Sequence, residues 1–403
     1  MENCVQTQED NWIHIKVPSE FFYCDPAVLI TPMRVIMMKR NLLAVVIPAL
    51  LAAGAANAAE VYNKDGNKLD LNGKVVGLHY FSKDDNNKGD QSYVRLGFKG
   101  ETQITKDLTG YGRFEHNFNA SQAEDTNGGA NASKTRYAYA GLKFSDFGSI
   151  DYGRNRSVAY DGISYTDVLP EFGGDQAYTD NLTSRNSGVA TYRNKNFFGL
   201  VDGWDFALGY QSAHSDSSRI QKQTGAGWAI SSSYTAPFGV GVVGSYTQAN
   251  RSETQIADGR GDKAEAWATG LKYDANNVYV AATYGEYHNL TYIANSTFSN
   301  NTSSAIRGNN AFDKTKIFEA VAQYNFDFGL TPSIGYVTAK GEDNTSAART
   351  DDYITKYVSL GMTYSFNKNF STYTEYDINL LDSNNAYGLS TNDIVAVGIV
   401  YQF

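Results

Sequence analysis

The sequence predicts an all-β fold, a sixteen-stranded antiparallel transmembrane β-barrel. Three observations predict it. Apolar and polar residues alternate with a period of two, short and long connections alternate along the chain, and 29 tyrosines and 21 phenylalanines occur in a chain whose one long apolar run lies near its start.

The first 58 residues stand apart, holding both cysteines (Cys4 and Cys24) and four of the seven prolines. Lys39 and Arg40 precede the apolar run 42–53, which leads to Ala56-Asn57-Ala58. A basic start, an apolar centre and a small-x-small end make residues 38–58 an expected secretory signal peptide. A spanning helix needs roughly 20 apolar residues, so this run is too short for one. Residues 1–37 have no part in that logic. Translation beginning near Met37 or Met38 would account for them, and an extra leader is the alternative. Cleavage after Ala58 would leave 403 − 58 = 345 residues, 59–403, as the barrel.

That remainder has no cysteine, so export to an oxidising space brings no disulfides and backbone pairing must hold the fold. It carries 34 − 4 = 30 basic and 43 − 5 = 38 acidic residues, a net charge of −8. Such a balance argues against a nucleic-acid partner, which would want a basic face.

Residues 93–100 show the strand pattern: Val94, Leu96 and Phe98 fall on one face, Tyr93, Arg95, Gly97 and Lys99 on the other. The same alternation recurs at 317–326, 357–366 and 394–403, and about sixteen such segments approach the ~9–11 residues of a tilted membrane strand. Tight connections at 274–277, 327–329 and 367–369 alternate with long polar ones at 212–225, 249–262, 288–314, 340–355 and 380–392. Short turns on one side and long loops on the other mark an outer-membrane barrel. The second face is rich in Gly, Ser, Thr, Asp, Arg and Lys and cannot fill a dry core, so the apolar face must point outward to lipid. A closed sheet then satisfies every backbone group where each orphan would cost several kcal/mol. Aromatic rings suit the two interfaces.

Between Arg154 and Gly188 alternation stops for longer than an idle connection in a compact fold would need. This stretch, a loop of about 155–187, holds Asp161, Asp167, Glu171, Asp175 and Asp180 with Pro170 and the Gly173-Gly174 pair. Arg95 and Arg136 project to the polar side by parity.

Several long stretches resemble the trimeric general diffusion porins of Gram-negative outer membranes. They are Ala59-Glu60-Val61-Tyr62-Asn63-Lys64-Asp65-Gly66-Asn67-Lys68, Arg95-Leu96-Gly97-Phe98-Lys99-Gly100-Glu101, Pro170-Glu171-Phe172-Gly173-Gly174, Ala190-Thr191-Tyr192-Arg193-Asn194 and Val395-Ala396-Val397-Gly398-Ile399-Val400-Tyr401-Gln402-Phe403. The resemblance covers essentially all of residues 59–403. It implies an inward-folded third loop whose acidic tip is Asp167 and Glu171, facing a basic wall in which Lys74 and Arg185 join Arg95 and Arg136. It also implies a homotrimer, with Glu124 of one subunit latching onto Arg154 of the next, and a carboxyl-terminal signal, Tyr401 and Phe403, read by the barrel-insertion machinery. Outer-membrane lipid and lipopolysaccharide would surround the barrel. The expected function is passive diffusion of small hydrophilic solutes and ions through a water-filled channel of weak cation selectivity. No cofactor is expected.

The chain departs from the family pattern at Arg113, where a neutral amide is commoner, at Arg156, which replaces an aromatic, and at Asn72, which replaces a tyrosine. Arg113 and Arg156, as additional lumen charges, bear on selectivity together with Asp175 on the loop. Thr179 stands where phosphate-preferring members carry lysine.

Other readings have less support. Residues 239–244 match a dinucleotide fingerprint in letters only, since strand pattern continues and no helix follows to hold a pyrophosphate. His79, His116, His214 and His288 lack metal-ligand spacing, and no serine sits in a nucleophile elbow. A sugar or anion porin is the nearer alternative and would want a track of aromatics along the lumen, which the sequence pattern does not disclose. An outer-membrane hydrolase is the further one.

Overall fold

The computed structural model describes residues 59–403, apart from 86, 123–132, 175–181, 217–219, 293–310 and 344–349. The expected leader and signal peptide lie outside the described residues. The strands are β1 (Ala59–Lys64), β2 (Asn67–Ser82), β3 (Gly89–Asp90), β4 (Tyr93–Thr105), β5 (Leu108–Asn119), β6 (Lys134–Phe144), β7 (Ser149–Arg156), β8 (Arg185–Asn194) and β9 (Trp204–Gln211). They continue as β10 (Gly227–Thr235), β11 (Val240–Asn250), β12 (Lys263–Ala275), β13 (Val278–His288), β14 (Lys314–Tyr324), β15 (Leu330–Asp343), β16 (Thr350–Ser365), β17 (Phe370–Asn379) and β18 (Ile394–Gln402).

β2 pairs with β4, each strand from β4 to β17 pairs with its successor, and β18 returns to β2, always antiparallel. The sixteen expected strands therefore close a ring. β1 and β3 are additional short pieces, both paired with β2. Closure is made in two parts on one edge of β2. β1 runs along it from Asn67 to Leu71, and beyond that Phe403 exchanges both backbone bonds with Gly73, at 2.9 and 3.0 Å.

The turns follow local chemistry. Asp65-Gly66 and Asn276-Asn277 both hold positive φ, at 53° and 74° and at 55° and 64°. Two consecutive left-handed residues suit a two-residue hairpin, and Asn, Asp and Gly tolerate them best. The residues 239–244 begin β11, as strand and not as a phosphate loop. At 340–355 the structure differs from expectation. β15 and β16 stay paired to Asp343 and Thr350 through a bulge at Ala339/Lys340, so strand occupies 340–343 and 350–355.

The inside-out arrangement holds strand by strand. On β2, Leu69, Leu71, Val75 and Phe81 face outward and are exposed, whereas Val76 and Leu78 face inward and are buried. Thr191, Ser231, Ser245, Thr247, Thr283 and Ser359 line the inside. Exposed rings cluster at the short turns, including Phe147, Phe238, Phe328 and Phe366, where an aromatic girdle belongs. The inner wall is not polar throughout, contrary to the reading from sequence. Tyr279, Ala281 and Val321 are buried against Tyr165, Val168 and Leu169 of the β7–β8 loop. An in-folded loop needs an apolar seat of its own.

At the long-loop end the connections fuse into a crown around Leu290, Phe312, Ile354, Tyr387 and Leu389. Two arginines are buried in it. Arg251 donates to Asp258 Oδ1 at 2.8 Å, and Arg260 donates to Asp343 Oδ1 at 2.7 Å with Asp313 at 3.4 Å. Burial alone would raise the Asp258 carboxyl, but hydrogen bonds from Arg251 and the Arg260 amide hold it below its ordinary range. A depressed folded pKa gives stabilisation that is full above the unfolded value of about 3.9 and is lost as pH falls towards the folded one. Within that window the opening constant of residues 251–262 should rise by up to about tenfold per pH unit. Amide exchange, corrected for its intrinsic pH dependence, should show this in the native protein and little of it in Asp258→Asn.

Candidate functional site in the barrel lumen

Pairing between β7 and β8 ends at Asn155–Asn186 and Arg156–Arg185, and the described part 157–174 of the connection folds into the barrel instead of outward. Its first turn, Val158–Ile163, is a 3-10 helix capped by the Ser157 hydroxyl, which accepts from the Ala159 amide at 3.2 Å. The loop then crosses the inner wall strand by strand. Asp161 takes two bonds from Arg193 of β8, at 2.8 and 3.1 Å, and one from Ser231 of β10 at 2.6 Å. Ser245 of β11 donates to the Ala159 carbonyl at 2.8 Å. Tyr279 of β13 donates to the Tyr165 carbonyl at 2.6 Å. Thr166 reaches Thr283 at 2.9 Å and Glu319 of β14 at 2.7 Å, and Gln323 donates to the Val168 carbonyl at 2.8 Å.

Glycines let the loop lie this close. A Cβ on Gly162 would stand 2.3 Å from Ser245 Oγ, and one on Gly361 would stand 3.0 Å from Pro170. Each hydrogen bond is worth only about 0.5–1.5 kcal/mol net, yet together they leave the loop few other places to go.

The acidic tip is held differently from what sequence suggests. Glu171 accepts from the hydroxyls of Tyr80 on β2, at 2.6 Å, and Tyr373 on β17, at 2.5 Å. The amides of Glu171 and Phe172 donate to Glu375 Oε2 at 2.6 and 3.2 Å, and Gly173 donates to the Tyr357 hydroxyl at 3.2 Å. Asp167 does not stand free. The Tyr160 hydroxyl donates to it and Arg156 Nη2 lies 3.6 Å away, while the Arg156 guanidinium stacks on Tyr160 at 3.5 Å. Asp175 lies outside the described residues.

The basic side chains lie close to one another around a single acid. Lys74 and Arg95 are register partners, and both lie over Tyr93, at 5.3 and 5.2 Å. The buried Glu115 sits among the arginines, 2.7 Å from Arg113, 2.7 Å from Arg136 and 3.8 Å from Arg95. Arg113 stacks on Tyr137 at 3.8 Å, and Arg185 lies 5.5 Å from the same ring. Sequence reasoning missed Glu115, Glu375, Tyr80 and Tyr373. Glu115 was within reach of parity, two residues from Arg113 on one strand face. The other three act across ninety residues or more of chain, which strand parity does not report.

Of the remaining expected residues, Arg154 donates its Nε to the Thr135 carbonyl at 2.6 Å, and Glu124 lies outside the described residues. Tyr401 is exposed on the outer wall, with its ring 6.0 Å from that of Phe403.

A closed barrel with lipid outside, a charged lumen inside and a loop folded across that lumen is a channel of the porin class. The family model for Gram-negative porins matches residues 64–403, and the chain belongs to that family. It is 57% identical over 376 residues to "Outer membrane protein F" of Serratia marcescens, covering 91% of this chain and all of that protein. It is 54% identical over 379 residues to "Outer membrane porin F" of Escherichia coli K12, with the same coverage. Among solved structures it is similar to "Salmonella typhi OmpF complex with Daunomycin", at TM-score 0.76 and 45% identity, over 86% of this chain and all of that one. The protein is thus a general porin of the outer membrane, a channel and not an enzyme.

Gly162→Leu offers a direct check on the loop's seating. Overpacking against Ser245 and Ala268 should cost about 1–3 kcal/mol and push the loop towards the axis, lowering single-channel conductance. Conductance equal to that of the native channel would mean that the wall does not hold the loop.

Proposed function

We propose that the porin passes small hydrophilic solutes and ions through a constriction made by Asp167 and Glu171 on the loop and by Lys74, Arg95, Arg136 and Arg185 on the wall. Arg113 and Arg156 tune it. The observation that carries this reading is the linking of charges from six separate strands and the loop by close contacts inside the barrel. A cationic excess on the wall and a carboxylate excess on the loop leave a transverse field across the water between them. Opposite charges ~7 Å apart interact by roughly 2–3 kcal/mol at an effective dielectric of 20, and by about 0.6 kcal/mol in bulk water. That is enough to orient water. A polar solute can replace those waters, whereas an apolar one must displace them without compensation.

Cation selectivity should be weak. The chain's acidic balance favours cations, while Arg113 and Arg156 oppose that preference. Assembly as a homotrimer, with Glu124 gripping Arg154 of a neighbour, fits the outward position of Arg154 and the family to which the chain belongs. A signal peptide at 38–58, a barrel beginning at Ala59 and an insertion signal at Tyr401 and Phe403 complete the reading. Outer-membrane lipid and lipopolysaccharide would then meet the apolar belt.

Reversal potentials in a salt gradient test the constriction. Arg95→Gln with Arg136→Gln should raise the cation-to-anion permeability ratio about two- to threefold, the factor that corresponds to roughly 0.6 kcal/mol. Asp167→Asn with Glu171→Gln should lower it by a similar factor. Potentials unchanged by either pair would sink the assignment.

A further inference from the structure

We propose that the lumen wall also holds a retention site for planar aromatic carboxylates, built from Tyr111, Tyr139 and Tyr137 with Arg113 and Arg185. The inference rests on the channel reading and adds to it a class of solute that pauses in transit. Tyr111 projects inward from β5, and Tyr137 and Tyr139 from β6. Their rings form a short ladder, with Tyr111 and Tyr139 at 6.3 Å and 82°, and Tyr139 and Tyr137 at 6.3 Å and 81°. Tyr111 passes over Gly141, its Cζ 2.8 Å from where a Cβ would be, and its hydroxyl donates to Asp151 at 2.9 Å. The ladder therefore begins near the short-turn end of β5 and climbs to the height of the arginines. Edge-to-face rings 4.5–7 Å apart are a favourable aromatic arrangement, and a planar guest can extend it.

Charge selects the guest's sign. Six cations, Lys74, Arg95, Arg113, Arg136, Arg156 and Arg185, surround this part of the lumen with three carboxylates, Glu115 and Asp151 on the wall and Asp167 on the loop, a surplus of 6 − 3 = 3. Asp151, at the foot of the ladder, is engaged by Tyr111 and by Asn155 at 2.7 Å. Arg113 stacks on Tyr137 and is the register partner of Tyr139, so one guanidinium serves both upper rings. An aliphatic anion meets only the charge, a neutral aromatic only the rings, and an aromatic cation is repelled. An aromatic carboxylate gains from both.

Planar-bilayer recordings with two probes of equal charge decide it. Naphthalene-2-carboxylate should reduce potassium chloride conductance saturably, and cyclohexanecarboxylate at the same concentration should not. Relative to each variant's own conductance in salt alone, Tyr139→Leu should raise the half-blocking concentration about fivefold and Tyr139→Phe less than about twofold, as expected for loss of one aromatic pair. Equal block by both probes overturns the proposal, as does naphthoate block that survives Tyr111→Leu with Tyr139→Leu. The general-channel reading would still stand on ohmic conductance in salt. If Tyr139→Leu does not fold, the two probes on the native channel settle the matter. A native protein that conducts nothing removes both readings together.

Discussion

A backbone inside hydrocarbon has no water to bond, and most features of this molecule follow from that. The ring of sixteen strands leaves no edge, and the seam is where the solution is least regular. β1 and the end of β18 share one edge of β2, and Phe403 bonds Gly73 there in both directions. Each unsatisfied group would cost several kcal/mol in lipid, so the two ends of the described chain carry a structural duty that loop residues do not.

Closure then dictates the faces. A single strand period sends Leu69 and Leu71 to lipid and their neighbours to the lumen, and no core in the usual sense remains to be packed. The molecule instead builds small cores where loops fold back. One lies under the β7–β8 loop, where Tyr279, Ala281 and Val321 receive Val168 and Leu169. Another lies in the crown, where Arg251 and Arg260 are buried among aspartates. A buried ion pair adds little net stability, but removing one partner is costly because it strands the other charge. The contacts of Arg260 with Asp313 and Asp343 therefore fix which connection meets which more than they strengthen the whole, whereas Arg251–Asp258 braces one connection on itself.

Periodicity made most of the barrel legible. Alternation and turn chemistry require only neighbours in sequence, and Asp65-Gly66 or Asn276-Asn277 announce their hairpins without reference to the rest of the chain. The length of the β7–β8 loop and its acids were also plain. Its inward path was not, because the seat is assembled from Ser231, Ser245, Tyr279, Thr283 and Gln323 on four strands whose common level depends on the stagger of the whole ring. The same limit hid the tyrosine ladder. Strict parity that takes Arg136 inward would turn Tyr137 and Tyr139 outward, and it is the register shift at Glu115/His116 that lets all three reach the lumen, while Tyr111 joins them through the register of β5 against β6, in which it stands opposite Gly141.

The lumen charges are not two bare rows, and this changes how a field arises between them. Asp167 is partly offset by Arg156 on its own side, and Glu115 draws on three arginines at once. Glu171 is held by two tyrosine hydroxyls, which donate hydrogen bonds without bringing a positive charge. Neutral donors position a carboxylate and leave its charge to act at a distance, whereas a cation at contact cancels most of it. Under the proposed reading Glu171 is accordingly the main negative pole. The positive pole is what remains of the arginine cluster after Glu115 has taken its share, and because every member is braced by a ring or a carboxylate, the cluster can keep like charges close together without collapsing into the water between them.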